Sequence, residues 1–477
     1  MSFCPRFGGA FLSTLSVLTF VFLSTSRAPA ASVGGTLDDD TTWSGTIVVY
    51  ATVIVPAGVK LTVEPGTVVH LTNGVSIAAQ AGGIIEIAGT AANPVSLLPV
   101  NATANWGSIS ASGANSLIII RHAELARGAV NMGSQATALI EDSYVHDIGS
   151  AIVGNSARMV TMRRIHVKNY SETIFNSGTI ILAEDSLFES LTAPSSDALE
   201  IQGGPPGSII RRCTLRHASG NNSDLLDFNG TSGVLVEDCL LYDTSDKGMS
   251  FGASGAGGSP DHGIIVRNCL IYNTRGPGIA IKDGTTCGLY NLTIHGCPDG
   301  FRLYQKFNTP VDGGHITNSY NNILWGNGNS IYLTNDSSVV ASYSNFERTN
   351  WPGTGNLEVD PLFQNVAQND FRLATNSPLR RAGLDGTDMG AHFPVGAPMA
   401  LSHPRIESLT CAGTEVHIGF WVDSEKAYSL VASDTPDGEW TKITDLSPTS
   451  LPRLATVTNS ITGASARFYR LVTPPLP

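Results

Sequence analysis

Short apolar runs separated by Gly, Asn, Asp and Pro set the rhythm of this chain. Between residues 38 and 100 they alternate tightly, as in TIVVYATVIV, VKLTV and TVVHL, with turn signals at Pro56-Ala57-Gly58 and Glu64-Pro65-Gly66. Runs this short, bounded by such residues, predict strands rather than helices. Further along, IEDSYV, MRRIHV, AEDSLF, RRCTLR, VEDCLL, VRNCLI and YNLTIH return every 21 to 30 residues. A strand recurring at that interval predicts a stack of similar coils.

The repeat aligns on a small or apolar anchor: Ser143, Ile165, Ser186, Cys213, Cys239, Cys269, Leu292 and Ile323. Two residues later come Val145, Val167, Phe188, Leu215, Leu241, Ile271, Ile294 and Trp325. The strand period of two points both sets inward. Two residues before the anchor, Glu141, Arg163, Glu184, Arg211, Glu237 and Arg267 alternate in sign. Stacked coils would pair each with an opposite charge, a ladder whose exposed pairs are individually weak. Four residues after the anchor, Asp147, Asn169, Asp243, Asn273 and Asn327 suit a bend, where short polar side chains bond backbone.

Each turn then continues into a second strand, as in ALEI (198–201), LLDF (225–228), GMSF (248–251), GIAI (278–281), GFRL (300–303) and SIYL (330–333). One coil cannot bury its apolar face, but a stack can. The crossovers of such a stack are expected to be right-handed. The expected class is all-β: a right-handed parallel β-helix followed by a small antiparallel β-sandwich.

The opening WSGTIVVYATVIVPAGVKLTVEPGTVV resembles the first coils of the right-handed parallel β-helix superfamily of exported, often polysaccharide-active bacterial proteins, the pectate-lyase-like fold. DPLF (360–363), NDFRL (369–373), SPLRRAG (377–383) and DGTDMGA (385–391) resemble its closing segment. The resemblance spans roughly residues 40 to 395 and implies architecture. Activity does not follow, because one scaffold hosts many functions.

The expected organisation is a signal peptide over 1–30, an N-terminal cap with the first coils over 31–105, the β-helix over 106–391, a linker over 392–404 and a β-sandwich over 405–477. Arg6, the apolar run from Ala10 to Leu23 and Ala28-Pro29-Ala30 form the signal pattern, and that run is short for a membrane anchor. They predict export, to the medium, the periplasm or the cell surface, and the resemblance implies a bacterial protein; a monomer with no later membrane span is expected. Lys and Arg number 28 against 40 Asp and Glu, a net charge of −12 that argues against a nucleic-acid partner. Glycines are abundant, yet no strand–GxGxxG–helix context points to a dinucleotide. Of seven cysteines, Cys213, Cys239 and Cys269 share the anchor position and are expected as a buried thiol stack. Cys287 and Cys297 flank one strand and are candidates for a pair.

The chemistry is expected on the outward side of the second strands. Asp197 and Glu200 recur 27 residues later as Asp224 and Asp227, and Lys247 and Ser250 occupy the same places on the next turn. Four carboxylates so close repel, and a hard cation with oxygen ligands, Ca²⁺ above all, would offset them. The competing reading is a salt-bridged solvent face. Calcium-dependent polysaccharide lyases on this fold are similar in pairing an acidic calcium cluster with a basic residue as base.

By that similarity, Asp197, Glu200, Asp224 and Asp227 are metal-ligand candidates. Lys247 is the candidate base and Arg302 the group that neutralises a substrate carboxylate. His262, Lys282, Tyr304 and Tyr332 are candidate contacts to an anionic polysaccharide. The expected reaction is β-elimination on a uronic-acid polymer. Against it, Asp246 and the cluster should hold Lys247 charged, whereas bound Ca²⁺ would push the other way. Two alternatives stand beside it: hydrolysis by paired carboxylates, and a non-catalytic carbohydrate-binding or cell-surface scaffold.

Overall fold

A computed structural model describes residues 31–472, apart from 177, 190–196, 308–311, 335, 394, 397–405, 423–426, 436–439, 448–452 and 462–466. The expected signal segment and most of the expected linker lie outside the described residues. Strands of successive coils pair in parallel. One 13-stranded sheet stacks from Thr41–Trp43 to Ser338–Val339, and a 23-stranded sheet holds the strands on both sides of a bend. It is one sheet because Tyr144–Asn155 and His166–Asn176 run through the bend unbroken.

The interior is a continuous apolar column. All eight expected anchors are buried, as are Val145, Val167, Phe188, Leu215, Leu241, Ile271 and Ile294 two residues on. The last coil corrects the alignment by one residue. Thr293 pairs with Ile323 and Ile294 with Leu324, so Asn322, not Ile323, occupies the anchor position. Asn322 is fully buried and satisfied: Oδ1 accepts from Leu292 N at 2.9 Å and Nδ2 donates to Leu289 O at 3.0 Å. Trp325 therefore turns outward. Asn327 also shifts from the bend to the interior, accepting from Cys297 N at 3.0 Å, and Gly326 takes the bend with φ 73°.

The bends are built from residues in the left-handed region. Asp147, Asn169, Asp243 and Asn273 have φ between 51° and 58°. A second column with positive φ, Asp142, Arg164, Asp185, Arg212, Asp238 and Asn268, lies between the two sheets. Arg and Asp alternate there too, with Arg164 Nε 2.7 Å from Asp142 and Arg212 Nε 2.6 Å from Asp185. In the expected ladder, Arg163 Nε reaches Glu184 at 2.7 Å and Arg267 bonds Glu237. Cys213, Cys239 and Cys269 are buried free thiols. Cys287 and Cys297 are free as well, so the expected pair does not form.

The closing segment folds back along the outside of the coils. Phe371 and Val395 pack on Leu240, Leu270 and Tyr272, while Leu379 and Met389 pack on Ile323. Gly396 N donates to Asp238 O at 2.6 Å, so the stretch expected as linker from residue 392 is docked up to that point. Beyond it, two three-stranded antiparallel sheets share a core that includes Ile418, Phe420, Tyr428 and Leu430, which is the expected sandwich. Among the described residues no helix is long and apolar enough to cross a membrane.

Candidate functional site

The second strands carry three outward columns in register. Glu200, Asp227, Ser250, Ala280, Arg302 and Tyr332 form the central one. Gln202, Asn229 and Gly252 lie beside it, followed by Lys282 and Tyr304. Asp197, Asp224 and Lys247 stack on the other side, just before these strands. Each carboxylate in that stack accepts the backbone N–H of the next coil: Asp224 N to Asp197 at 2.7 Å, and Lys247 N to Asp224 at 2.9 Å.

Three of the four expected ligands converge. Asp197, Glu200 and Asp227 each offer an oxygen within 4.8 Å of the others. Amides brace them: Asn229 Nδ2 donates to Asp227 at 2.7 Å and to Glu200 at 3.3 Å, and Gln202 donates to Glu200. Asp227 Oδ1 is buried with no hydrogen-bond partner. Burial, then repulsion from Asp224 and Asp227, lifts the Asp197 carboxyl to about 9. Burial also raises Glu200, with Asp227 adding to it. Clustered oxygen donors, an orphaned buried oxygen and repulsion not otherwise offset fit a hard cation such as Ca²⁺.

Asp224 departs from the expected ligand set. Its two oxygens lie 3.2 and 3.3 Å from Lys247 Nζ, and it belongs to that ion pair. Lys247 also bonds Asp246. Burial disfavours the Lys247 charge, but Asp224 and Asp246 outweigh it and hold the ammonium above the usual lysine range. In this arrangement Lys247 is held charged, as Asp246 and the neighbouring acids were expected to hold it.

Lys282 is corrected more strongly. It is 2% exposed and donates to Ser250 Oγ at 2.7 Å. Gly252 makes this possible, because a Cβ there would sit 2.8 Å from Lys282 Cε. The ammonium thus lies buried under the face, not exposed on it as a polymer contact would need. His262 is exposed on the far turn, its imidazole 3.5 Å from Thr286 Oγ1, and the structure does not bring it to the carboxylates.

Arg302, Tyr304 and Tyr332 do come together. The guanidinium lies 5.5 Å from the Tyr304 ring and 5.1 Å from the Tyr332 ring, with Tyr332 40% exposed. Two acids escape the sequence pattern. Asp299 reaches Arg302 at 3.6 Å. Asp261, fully buried, accepts from Thr231 N and Gly252 N, and burial pushes it up to about 7. Asp299 follows the irregular Cys297-Pro298 step, and Asp261 sits in the Gly-rich loop. Neither falls on the repeat that found the others.

The raised Asp197 makes a stability prediction. Its folded value exceeds the ordinary 3.8, so its contribution is full below about pH 4 and is lost as pH rises towards 9. Asp197→Asn removes that loss while keeping an oxygen for Asp224 N. At pH 8 in chelator it is expected to be more stable than wild type by at least about 1.4 kcal/mol, one unit's worth. Ca²⁺ should raise the wild-type midpoint and not that of the variant. Denaturant melts from pH 5 to 9 check this, and a less stable variant at pH 8 would refute it.

Residues 128–316 match the family described as the right handed beta helix region. No curated protein matches the chain. Among solved structures, the mannuronan C-5 epimerase AlgE6 A-module of Azotobacter vinelandii is 10% identical, over 66% of this chain and 90% of that one, with a TM-score of 0.35. Pectate lyase Pel9A is 15% identical over 70% and 88%, with a TM-score of 0.34. The periplasmic alginate epimerase AlgG is 12% identical over 63% and 76%, with a TM-score of 0.31. Continuous parallel sheets that stack coil upon coil, with the family match over their central coils, give this chain the right-handed parallel β-helix fold and a small antiparallel module at its C-terminal end.

Proposed function

We propose that the protein binds an acidic, uronate-bearing polysaccharide on the face from Asp197 to Tyr332 and breaks it by β-elimination. The observation that carries this reading is the register. Consecutive coils set a carboxylate cluster, an ion-paired lysine and an arginine between two tyrosines side by side on one outward face. Arg302 is suited to a sugar carboxylate: it is partly exposed, and its Nε is a buried donor with no partner. Tyr304 and Tyr332 offer ring faces for sugar stacking.

Asp197, Glu200 and Asp227 would hold Ca²⁺, which supplies positive charge that acidifies the proton beside a uronate carboxylate and offsets the acids that keep Lys247 charged. Lys247 is the group placed to take that proton. The C–H electrons become the new double bond as the glycosidic C–O bond breaks, and the departing oxygen takes a proton from water. An exported protein would meet such polymers.

A second reading rests on Asp197. A carboxyl still protonated near neutrality beside the Asp227 carboxylate is also an acid–base pair for glycoside hydrolysis. The mature protein, incubated with pectic, alginate and glycosaminoglycan polymers in calcium and then in chelator, separates the two. β-Elimination predicts ultraviolet absorbance from the unsaturated product, abolished by chelator. Reducing ends without absorbance would transfer the function to hydrolysis. Polymer binding with neither signal would leave a binding scaffold.

A further inference from the structure

A polar cleft of about 500 Å³ opens at Ser245, two residues before Lys247, on the bend rather than on the second strands. His217, Ser219, Asp243, Ser245, Asn273 and Arg275 line it. Its volume falls within the roughly 300–1,000 Å³ of small-molecule sites. It exists because three successive coils place His217, Asp243 and Asn273 in one left-handed column, after which Gly296 and Gly326 continue that column without side chains.

The charges in the cleft are unevenly committed. Asp243 is taken by His217 Nδ1 at 3.4 Å and by the Asn273 amide. Arg275 is anchored by its backbone, N to Thr244 O at 3.1 Å, and is exposed. Among the described residues no carboxylate comes within 4.0 Å of its guanidinium. A planar cation without an internal partner, surrounded by hydroxyls and an amide, suits a carboxylate carried on a hydroxyl-rich ring.

The cleft shares a wall with the candidate site. Ser245 faces the cleft and Lys247 the acids, two residues apart and thus at most about 7 Å along the chain. Gly276, next to Arg275, donates to Asp246 O at 2.8 Å and leaves no room for a Cβ against the Asp246 carboxylate.

We infer that this cleft is a second subsite of the same polymer-binding surface, with Arg275 receiving the carboxylate of a uronate unit that flanks the one at Lys247. The inference rests on the proposed reading of an acidic polysaccharide as ligand.

The test uses the full mature chain in chelator, with short oligomers of galacturonate and mannuronate and their methyl esters. The acid oligomers should slow hydrogen exchange at 217–219, 243–245 and 273–275. Arg275→Ala should weaken their binding about tenfold and Arg275→Lys less, with under about twofold change for the esters. Equal losses for acid and ester, no protection in the cleft, or no binding of any oligomer would overturn the subsite. Failure of the proposed reaction looks different. If no polymer is cleaved under any condition yet Arg275-dependent binding of the acid oligomers persists, the subsite stands and β-elimination falls. Calcium-dependent cleavage with binding indifferent to Arg275→Ala gives the reverse.

Discussion

Arg216→Met is expected to cost about 3–5 kcal/mol of stability, because it leaves a buried carboxylate without its main cation. Arg216 is 1% exposed, and Glu189, 27 residues earlier and one coil away, is 5% exposed. Nε and Nη2 of the arginine lie 2.8 and 2.7 Å from one Glu189 oxygen, and Nη1 donates to the Tyr242 hydroxyl at 2.8 Å. His166 Nε2 meets the other oxygen at 2.7 Å.

Burial alone would raise Glu189. The His166 bond and the Arg216 charge outweigh it, and the carboxyl stays far below its usual range. Burial meanwhile lowers His166, and Lys168 reaches the same oxygen only at 3.6 Å, so neither reproduces the two short bonds of the guanidinium. Adding Glu189→Gln to Arg216→Met should recover most of the loss, since no charge then remains to be buried. Arg267→Ala is the contrast: its pair with Glu237 is 55% exposed on the arginine side and worth under about 1 kcal/mol. Denaturant midpoints of the three variants decide it. A double variant no more stable than the single one would show that packing, not the stranded charge, sets the cost.

This buried pair also marks where sequence reading stops. Glu189 and Arg216 each follow an inward apolar residue, Phe188 and Leu215, so the strand period alone turns them outward. The pair closes on itself across two coils, with His166 on one side and the Tyr242 hydroxyl on the other, and no local period encodes that. The coil period itself was legible because each anchor had to be small or apolar to fit the stack. It slipped at Asn322, where a polar side chain replaces the anchor and is satisfied by backbone from the coil below. The alignment of Asp197 with Asp224 and of Glu200 with Asp227 and Ser250 was legible for the same reason, since equal spacing in sequence became equal height in the stack. Which of those charges pair was not. Spacing put Asp224 with the other acids, whereas the length of Lys247 carried its ammonium across to claim it. Lys282 was read as outward, and the missing Cβ of Gly252 let it fold under the face.

Lys247→Arg is expected to fold with nearly wild-type stability and to lose about 10²- to 10⁴-fold in β-elimination rate, the usual worth of a proton-transfer group. Arginine is preferred to alanine here because Asp224 is nearly buried and Lys247 is its counter-charge. Alanine would mix lost chemistry with a stranded carboxylate, whereas a guanidinium keeps the charge and never gives up its proton near neutrality. The Asp224 and Asp246 contacts hold the lysine ammonium above its ordinary range, so the fraction able to accept a proton is small and grows with pH. If Lys247 accepts the substrate proton, the wild-type rate should climb about tenfold per unit from neutral into alkaline pH, and the arginine variant should show a low, flat profile. A variant that keeps full rate and the wild-type profile would reduce Lys247 to a charge that neutralises its two aspartates. Proton abstraction would then have to be sought elsewhere on the face.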